Sequence, residues 1–453
     1  MTVTRGRIVW MFAAAAMLLA VLAPALWNGF PLIFPDTGGY LARPFEATLE
    51  LGRSALYGAF LAIGVPLDFW PNILAQAALM IWLIVLSLRT HGLGRRPLLA
   101  LAVVIALTVA SAMPWYADTL MPDIMLPAAV ISLHLLAFRA DHLGRGERIA
   151  VMAVVAFAIA SHMGTLALCL ILLPAFAVAT HLPLALPRAR LALAGIATAA
   201  GLLLAPLSNL AITGQFALTP GGETFLFGRL VQDGVVARYL ADRCPDPAIR
   251  LCAFKDQLPA SADDWLWAPG NPIGELGGWR AYRPEAKRII LESLRMYPVM
   301  HVVTAARATF DQLLLVKTEV SVNPDYNAPA LGAITELAPQ LMPRLNAARQ
   351  QSTPFSLDAL NRLHVAVAWV SIAALALLVV LARRLRIAPP TVALALTVLV
   401  ALFDNAAICG IFSNPVDRYQ SRLVWLAPFA LMIVVLGRKR KGAQDVGFSH
   451  PPP

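Results

Sequence analysis

The chain has 453 residues, 59% of them hydrophobic and 14% charged, with a mean hydropathy of +0.69 and a formal net charge of +10. This excludes an ordinary soluble domain, and apolar runs of about 17 to 25 residues recur, each long enough to cross a hydrocarbon core of roughly 30 Å. The positive charge does not mark a nucleic-acid surface, because Lys and Arg gather in short clusters between apolar runs, as orientation by the positive-inside rule requires, where they attract anionic headgroups.

In chain order, Arg5 and Arg7 precede an apolar run over residues 8–27. A cleavable signal ending at Ala23, Pro24 and Ala25 is the alternative, but Pro24 and the apolar continuation to Phe34 suit a retained span. With Arg5 and Arg7 inside, Pro35-Asp36-Thr37-Gly38-Gly39-Tyr40 lies outside. Thr37 and the two glycines predict a tight turn that lets a ligand approach the backbone, beside an acid and an aromatic edge. The plain reading of the same hexapeptide is a capped turn between a membrane helix and a surface helix. From Pro44 onward, Phe45, Leu49, Leu56, Phe60 and Ile63 share one helical face, with Glu46, Glu50 and Tyr57 opposite and Arg53 at the boundary. Such a helix is too polar to cross and is expected along the membrane surface, holding Arg53 near headgroup level.

Residues 72–88 return to the cytoplasmic side, marked by Arg89, Arg95 and Arg96, and 98–113 lead outward. The second external turn, 114–123, carries Trp115, Tyr116, Asp118 and Asp123. Trp and Tyr belong at membrane interfaces; Asp123 opens the run 124–138 and is either an acid favoured by the helix dipole or part of a site. Arg139, Arg145 and Arg148 mark the inside again. The run 149–182 is too long for one span and is interrupted by Ser161-His162-Met163-Gly164-Thr165, which predicts two membrane helices with His162 at their outer apex. There His162 is a structural residue or a substrate contact. Arg188 and Arg190 supply the next inner loop, and 191–210 leave outward.

Residues 211–361 shift to polar, Pro- and Gly-bearing sequence, enough for an external domain or lid. Cys244 and Cys252 lie within it, and on the external side of a bacterial inner membrane they read as a local disulfide. No second Cys pair accompanies them at zinc-binding spacing. Cys169 and Cys409 fall in membrane spans and are expected to be inert core residues. His301, Arg307 and Asp311 are costly at the bilayer centre, so 299–316 is expected on the membrane surface or in the external domain. The run 363–381 ends at Arg383, Arg384 and Arg386. The run 392–412 contains Asp404 and Asn405, which serve function or interhelical hydrogen bonding. A last external turn, 413–422, precedes the run 423–436, the basic residues Arg438 to Lys441 and a tail expected to be disordered.

The expected architecture is an all-α polytopic membrane protein of about ten transmembrane helices with both termini cytoplasmic. Residues 1–210 form an N-terminal membrane core, 211–361 a mixed periplasmic insertion, 362–441 the C-terminal spans and 442–453 the tail. No heptad array, internal repeat, Walker loop, Rossmann fingerprint or zincin motif is found in the sequence, which speaks against an ATPase or a nucleotide-sugar enzyme. This topology collects Asp36, Tyr40, Arg53, Asp123, His162, Arg418, Tyr419 and Arg422 at one membrane surface. A carboxylate there can take a proton from an attacking hydroxyl, and arginines at headgroup height can pair with the phosphate of a lipid leaving group.

An Asp just after the first span, a surface helix in the first external loop, a second acid in the next, a large external insertion and a late Arg-Tyr turn together resemble the GT-C superfamily of membrane glycosyltransferases. Protein O-mannosyltransferases and aminoarabinose transferases of lipid A belong to it. The resemblance covers residues 8–210 and 363–436 and is one of layout more than of words. It implies Asp36 as general base, Asp123 in Leu-Met-Pro-Asp as the second acid, and Arg418-Tyr419 as the contact to the donor phosphate. Tyr40, Arg53 and His162 are the remaining candidates for substrate binding. The implied donor is a polyprenyl-phosphate-linked sugar and the acceptor a glycan, lipid or protein. Many members carry an acidic pair in the first loop, whereas Asp36 stands between Pro35 and Thr37 and the next acid is Glu46. That departure counts against metal assistance: no cofactor is fixed, and a divalent cation is the one candidate. Two readings compete: a transporter or flippase for a lipid or polyisoprenoid intermediate, and a non-catalytic partner in envelope polysaccharide assembly.

Overall fold

The computed structural model describes residues 2–94, 96–181, 186–321, 324–352 and 356–445, with backbone only for 2–5 and 438–445. Arg95, the side chains of Arg5 and of Arg438 to Lys441, and residues 446–453 of the predicted tail lie outside the described residues, while 442–445, expected in that tail, continue the last helix to Asp445. Helices account for 77% of the structure and no strand forms among the described residues, so the insertion expected to be mixed is helical. Its segments repeat their apolar residues at helical and not at alternating spacing, as in Gly278–Met296, where Tyr282, Ala286, Ile289 and Ser293 form the buried stripe. Five helices are long and apolar enough to cross a membrane: Trp70–Thr90, Leu191–Thr213, Asp358–Val380, Pro389–Phe412 and Asp417–Gly437. Five shorter apolar helices accompany them, among them Pro97–Ala110 and Pro122–Phe138. A helix of about 14 residues rises roughly 21 Å, short of a hydrocarbon core, which is why length and composition alone single out the longer five.

The chain separates into two compact units, one of residues 1–219, 316–402 and 421–453, the other of 220–315 and 403–420. In the first unit, helix Met125–Phe138 is buried along nearly its whole length. Helix Leu191–Thr213 runs against Arg145–Ser161, and at Gly201 a Cβ would stand 2.7 Å from Ile159 Cβ, so the absence of a side chain sets their separation. The basic turns meet at one end of this unit. Arg89 pairs with Glu147 at 2.6 Å, Arg190 pairs with Asp141, Arg148 donates to the carbonyls of Ala140 and Leu143, and Arg139 donates to that of Thr90. The break between Arg145–Ser161 and Met163–Ala179 falls at His162, whose extended backbone ends one helix and begins the next.

The first external segment differs from its expectation. Residues 35–40 are not a turn but the opening of helix Pro35–Glu46. Pro35 stands at the first helical position, where its missing N–H costs nothing, and Thr37 Oγ1 accepts the N–H of Phe34 at 2.9 Å. The single surface helix expected from Pro44 is likewise two: the first ends at Ala47, whose φ of 52° is left-handed, and a second, Ala55–Gly64, begins under a Ser54 cap. Pro44 cannot donate to the carbonyl of Tyr40 one turn back, and Gly58 lets the second helix pack there, since a Cβ would lie 2.2 Å from that oxygen. Residues 316–352, read from the sequence as part of the insertion, belong to the first unit. Gln350, fully buried, accepts from Ile33 N at 3.0 Å and donates to Ile33 O at 2.7 Å, pairing with the residue's backbone from 317 positions away.

The second unit has its own core, in which Phe227 meets Trp265 at a tilt and Tyr282 edge-on within a cluster that includes Tyr239, Leu251 and Ile289. Cys244 and Cys252 are joined by a disulfide, S–S 2.08 Å, and pack against that core. Glu285 ties the cysteine loop down by accepting from Arg250 Nε at 3.0 Å and Leu251 N at 3.1 Å.

Candidate functional site

Asp36 occupies the first turn of helix Pro35–Glu46, where exposed N–H groups and the helix dipole favour a carboxylate. Its Oδ1 accepts from Arg53 Nη2, and the two side chains are 27% and 15% exposed. Arg53 is positioned from three directions. Its Nη1 donates to Leu51 O at 3.2 Å, its guanidinium stands 5.7 Å from the centre of the Tyr40 ring, and its aliphatic stem lies on Gly39, where a Cβ would stand 3.3 Å from Arg53 Cγ. The glycines of the hexapeptide thus serve close packing rather than a turn. Gly39 receives Arg53, and Gly38 receives helix Ala328–Leu337, with a Cβ position 2.7 Å from Ala333 Cβ and 2.9 Å from Ala330 Cα.

Behind this surface runs a buried polar relay. Tyr40 donates to Gly52 O at 3.1 Å and its ring meets Tyr57 edge-on at 5.3 Å. Tyr57 donates to Gln76 Oε1 at 2.8 Å, and Gln76 Nε2 donates to the carbonyls of Ala117 and Thr119. Thr37 Oγ1 donates to Leu120 O at 3.1 Å, so the segment bearing Asp36 and the turn bearing Asp123 are directly joined.

Asp123 is not on the surface. It pairs with Arg422 at 3.1 Å, and both side chains are 2% exposed. Asp118 is also fully buried and accepts the N–H of Ala25 at 2.8 Å, capping helix Ala23–Asn28 from another part of the chain. Burial pushes the Asp118 carboxyl well above the usual carboxylate range, against the pull of that hydrogen bond. Tyr116 OH lies 2.5 Å from Ser421 Oγ and donates to Glu319 O at 2.9 Å.

His162 stands two residues after Ala160, whose carbonyl accepts from Ser54 Oγ at 2.7 Å, so the loop carrying Arg53 is anchored close to it. Arg418 and Tyr419 fall in the second unit, with the guanidinium 5.9 Å from the centre of the Tyr419 ring and Asn405 Nδ2 donating to Tyr419 O at 2.7 Å. Among the candidates, then, Asp36, Tyr40, Arg53, Asp123 and His162 belong to the first unit, and the arginine that meets Asp123 is Arg422. No family model, curated protein or solved structure matches this chain. Among the described residues no group of three or more His, Cys, Asp or Glu gathers as metal ligands do. Sequence reasoning named Asp118 in the second external turn without giving it a role and passed over Gln76 and Gln350; Gln76 was marked only by its polarity inside an apolar run, and Gln350 by nothing local.

Proposed function

We propose that this protein is an integral membrane glycosyltransferase of GT-C type that moves a sugar from a polyprenyl-phosphate donor to an acceptor hydroxyl, with Asp36 as catalytic base. The observation that carries the reading is the contrast between the two acids: Asp36 remains within reach of solvent beside Arg53, whereas Asp123 is sealed against Arg422. In the proposed step the acceptor oxygen attacks the anomeric carbon as the bond from that carbon to the phosphate oxygen breaks. The hydroxyl proton passes to Asp36, and the electron pair leaves on the lipid phosphate, whose charge Arg53 meets. Tyr40 holds Arg53, and His162 lines the acceptor side.

On this reading the five long helices are joined by five shorter crossings, 6–21, 97–110, 122–138, 145–161 and 163–179, while Ala55–Gly64 lies along the surface. The membrane is a bacterial inner membrane, Asp36 faces the periplasm, and both termini are cytoplasmic. The convergence of Arg89, Arg139, Arg148 and Arg190 at one end of the unit supports this orientation. Lipid-intermediate transport is the second reading, favoured by Asp404, which is 8% exposed within helix Pro389–Phe412 with an Oδ2 that finds no partner among the described residues.

Asp36→Asn is expected to abolish transfer from labelled polyprenyl-phosphate sugars in reconstituted vesicles, with insertion and thermal unfolding unchanged. Parental turnover in that variant removes Asp36 as base. Mass spectrometry of lipids and glycans from cells with and without the protein identifies donor and acceptor. Translocation of a labelled lipid without a covalent product selects transport instead.

A further inference from the structure

Helix Pro298–Leu314 in the second unit carries an apolar face that no part of its own unit covers. At 3.6 residues per turn, Val299, Val302, Val303, Phe310 and Leu314 fall on one side, and Val299, Val302 and Phe310 are 74%, 69% and 61% exposed. A soluble surface rarely presents such a row. The opposite side is fixed. Ala308 is fully buried, and Gly410 approaches it so closely that a Cβ would lie 2.5 Å from the Ala308 carbonyl oxygen. Gln312 clamps Val416 by donating to its carbonyl at 2.9 Å and accepting its N–H at 3.1 Å.

Gly410 belongs to the last turn of Pro389–Phe412, a helix of 24 residues long and apolar enough to cross a membrane. The 298–314 helix therefore packs against the last turn of a helix long and apolar enough to cross a membrane, and where that helix crosses, its last turn stands where hydrocarbon gives way to headgroups. Its charged residues agree with that depth. Arg307 is 83% exposed at the edge of the apolar row, with Asp311 one turn on at 3.9 Å, where a long basic stem can reach from the acyl boundary to headgroup phosphates. The preceding helix, Gly278–Met296, exposes Leu291, Leu294 and Met296 beside Arg295 and extends the same mixture.

We infer that the Val299, Val302, Val303 and Phe310 face of helix Pro298–Leu314 is a lipid-docking surface, lying in the plane of the membrane with its apolar side in the upper acyl region and Arg307 among the headgroups. The partner is the phospholipid monolayer into which Pro389–Phe412 emerges. This surface does not depend on the glycosyltransfer reading, because no residue of that site takes part in it.

The test uses the full chain in nanodiscs of phosphatidylethanolamine and phosphatidylglycerol. Single cysteines at Val302→Cys and Phe310→Cys carry a small environment-sensitive fluorophore, with the exposed Asp256→Cys as a water-facing reference and the unlabelled parent correcting for buried Cys169 and Cys409. An interfacial helix sinks its apolar face roughly 5–10 Å below the headgroups. The labels at 302 and 310 are therefore expected to lose most of their emission to lipids bearing a nitroxide near the glycerol end of the acyl chain, and little to aqueous iodide; the label at 256 does the reverse. Quenching of 302 and 310 by iodide and not by nitroxide lipid overturns the proposal. Quenching by neither overturns it as well, since protein then covers the face. An unchanged thermal midpoint certifies each variant. Should either one shift, Arg307→Cys at the exposed rim gives the same decision, through quenching by headgroup nitroxide or its absence.

Discussion

Replacing Arg422 by methionine removes the guanidinium that faces Asp123 while keeping most of the side-chain volume, and the effect on stability follows from burial. Both partners are 2% exposed and their charged atoms stand 3.1 Å apart. Two unit charges about 4 Å apart interact by about 4 kcal/mol at an effective dielectric of about 20, and deleting one side of a buried pair typically costs about 3–5 kcal/mol, because the remaining charge loses its partner without regaining water. Arg422→Met and Asp123→Asn are each expected to lose stability in this range, read by the change in tryptophan fluorescence on chemical unfolding in detergent micelles. The double variant Asp123→Leu/Arg422→Met should cost clearly less than the sum of the two singles, because it leaves no lone buried charge. Arg53→Gln is the comparison. Its pair with Asp36 is partly exposed, and screening by water limits such a pair to about 1 kcal/mol or less. Arg53→Gln should thus unfold close to the parent while losing transfer. If Arg422→Met unfolds within about 1 kcal/mol of the parent, or if Arg53→Gln is the less stable of the two, the division into a structural and a functional acid is wrong.

Gly38→Ala should destabilise by about 1–3 kcal/mol, because its new Cβ meets backbone atoms of Pro329 and Ala330 that cannot swing aside; a thermal midpoint equal to the parent's refutes the close-packing role. Burial raises the Asp118 carboxyl well above its ordinary value in the folded chain, whereas the unfolded chain releases that proton near the ordinary carboxylate value. Its contribution is therefore full at low pH and fades as pH rises toward the raised folded value, so the Tm of Asp118→Asn relative to the parent should climb with pH over that window; a constant difference rejects it. His91, just beyond helix Trp70–Thr90, has the opposite sign: burial pushes it from 6.5 down to about 4, and stability is lost as pH falls between those values. His91→Gln should flatten that acid limb. Reduction of the Cys244–Cys252 disulfide should lower the stability of the second unit by about 2–3 kcal/mol, the range for a short closed loop, as measured by thermal unfolding with and without a thiol.

What could be read from the chain and what could not divide along the range of the interactions. Membrane character, the interruption at Ser161-His162-Met163-Gly164-Thr165 and the clustering of arginines between apolar runs are local properties, visible in windows of a few tens of residues. The hexapeptide after the first apolar run was misjudged because a glycine has two uses, a left-handed backbone and a missing side chain, and a local window cannot tell them apart. Gly38 and Gly39 sit inside a helix, and the atoms that require them small belong to Arg53 and to Pro329–Ala333, the latter roughly 290 positions further along the chain. Arg418 and Arg422 pose the same difficulty in another form. They are four residues apart on one helix, equal in type and both next to polar neighbours, so nothing in their spacing decides which of them reaches Asp123 across 299 positions of sequence.

Two acids at the predicted external face were therefore legible as a pair and illegible as individuals. Their charges are equal and their predicted positions alike; the difference lies in what seals each one. Asp123 is enclosed by Arg422 and the Gln76-braced turn, a pairing that takes it out of reach of any acceptor hydroxyl without a rearrangement of the core. Asp36 stands at a helix start where Thr37 accepts the N–H of Phe34, on a segment held from behind by Gln350 and Gly38, so its carboxylate is fixed yet approachable. A general base needs both properties at once: fixed geometry, because reach is measured in tenths of an ångström, and access, because the proton comes from another molecule. Among the acids of the two external turns only Asp36 combines them, which is why the proposed chemistry rests on it and not on the more deeply paired Asp123.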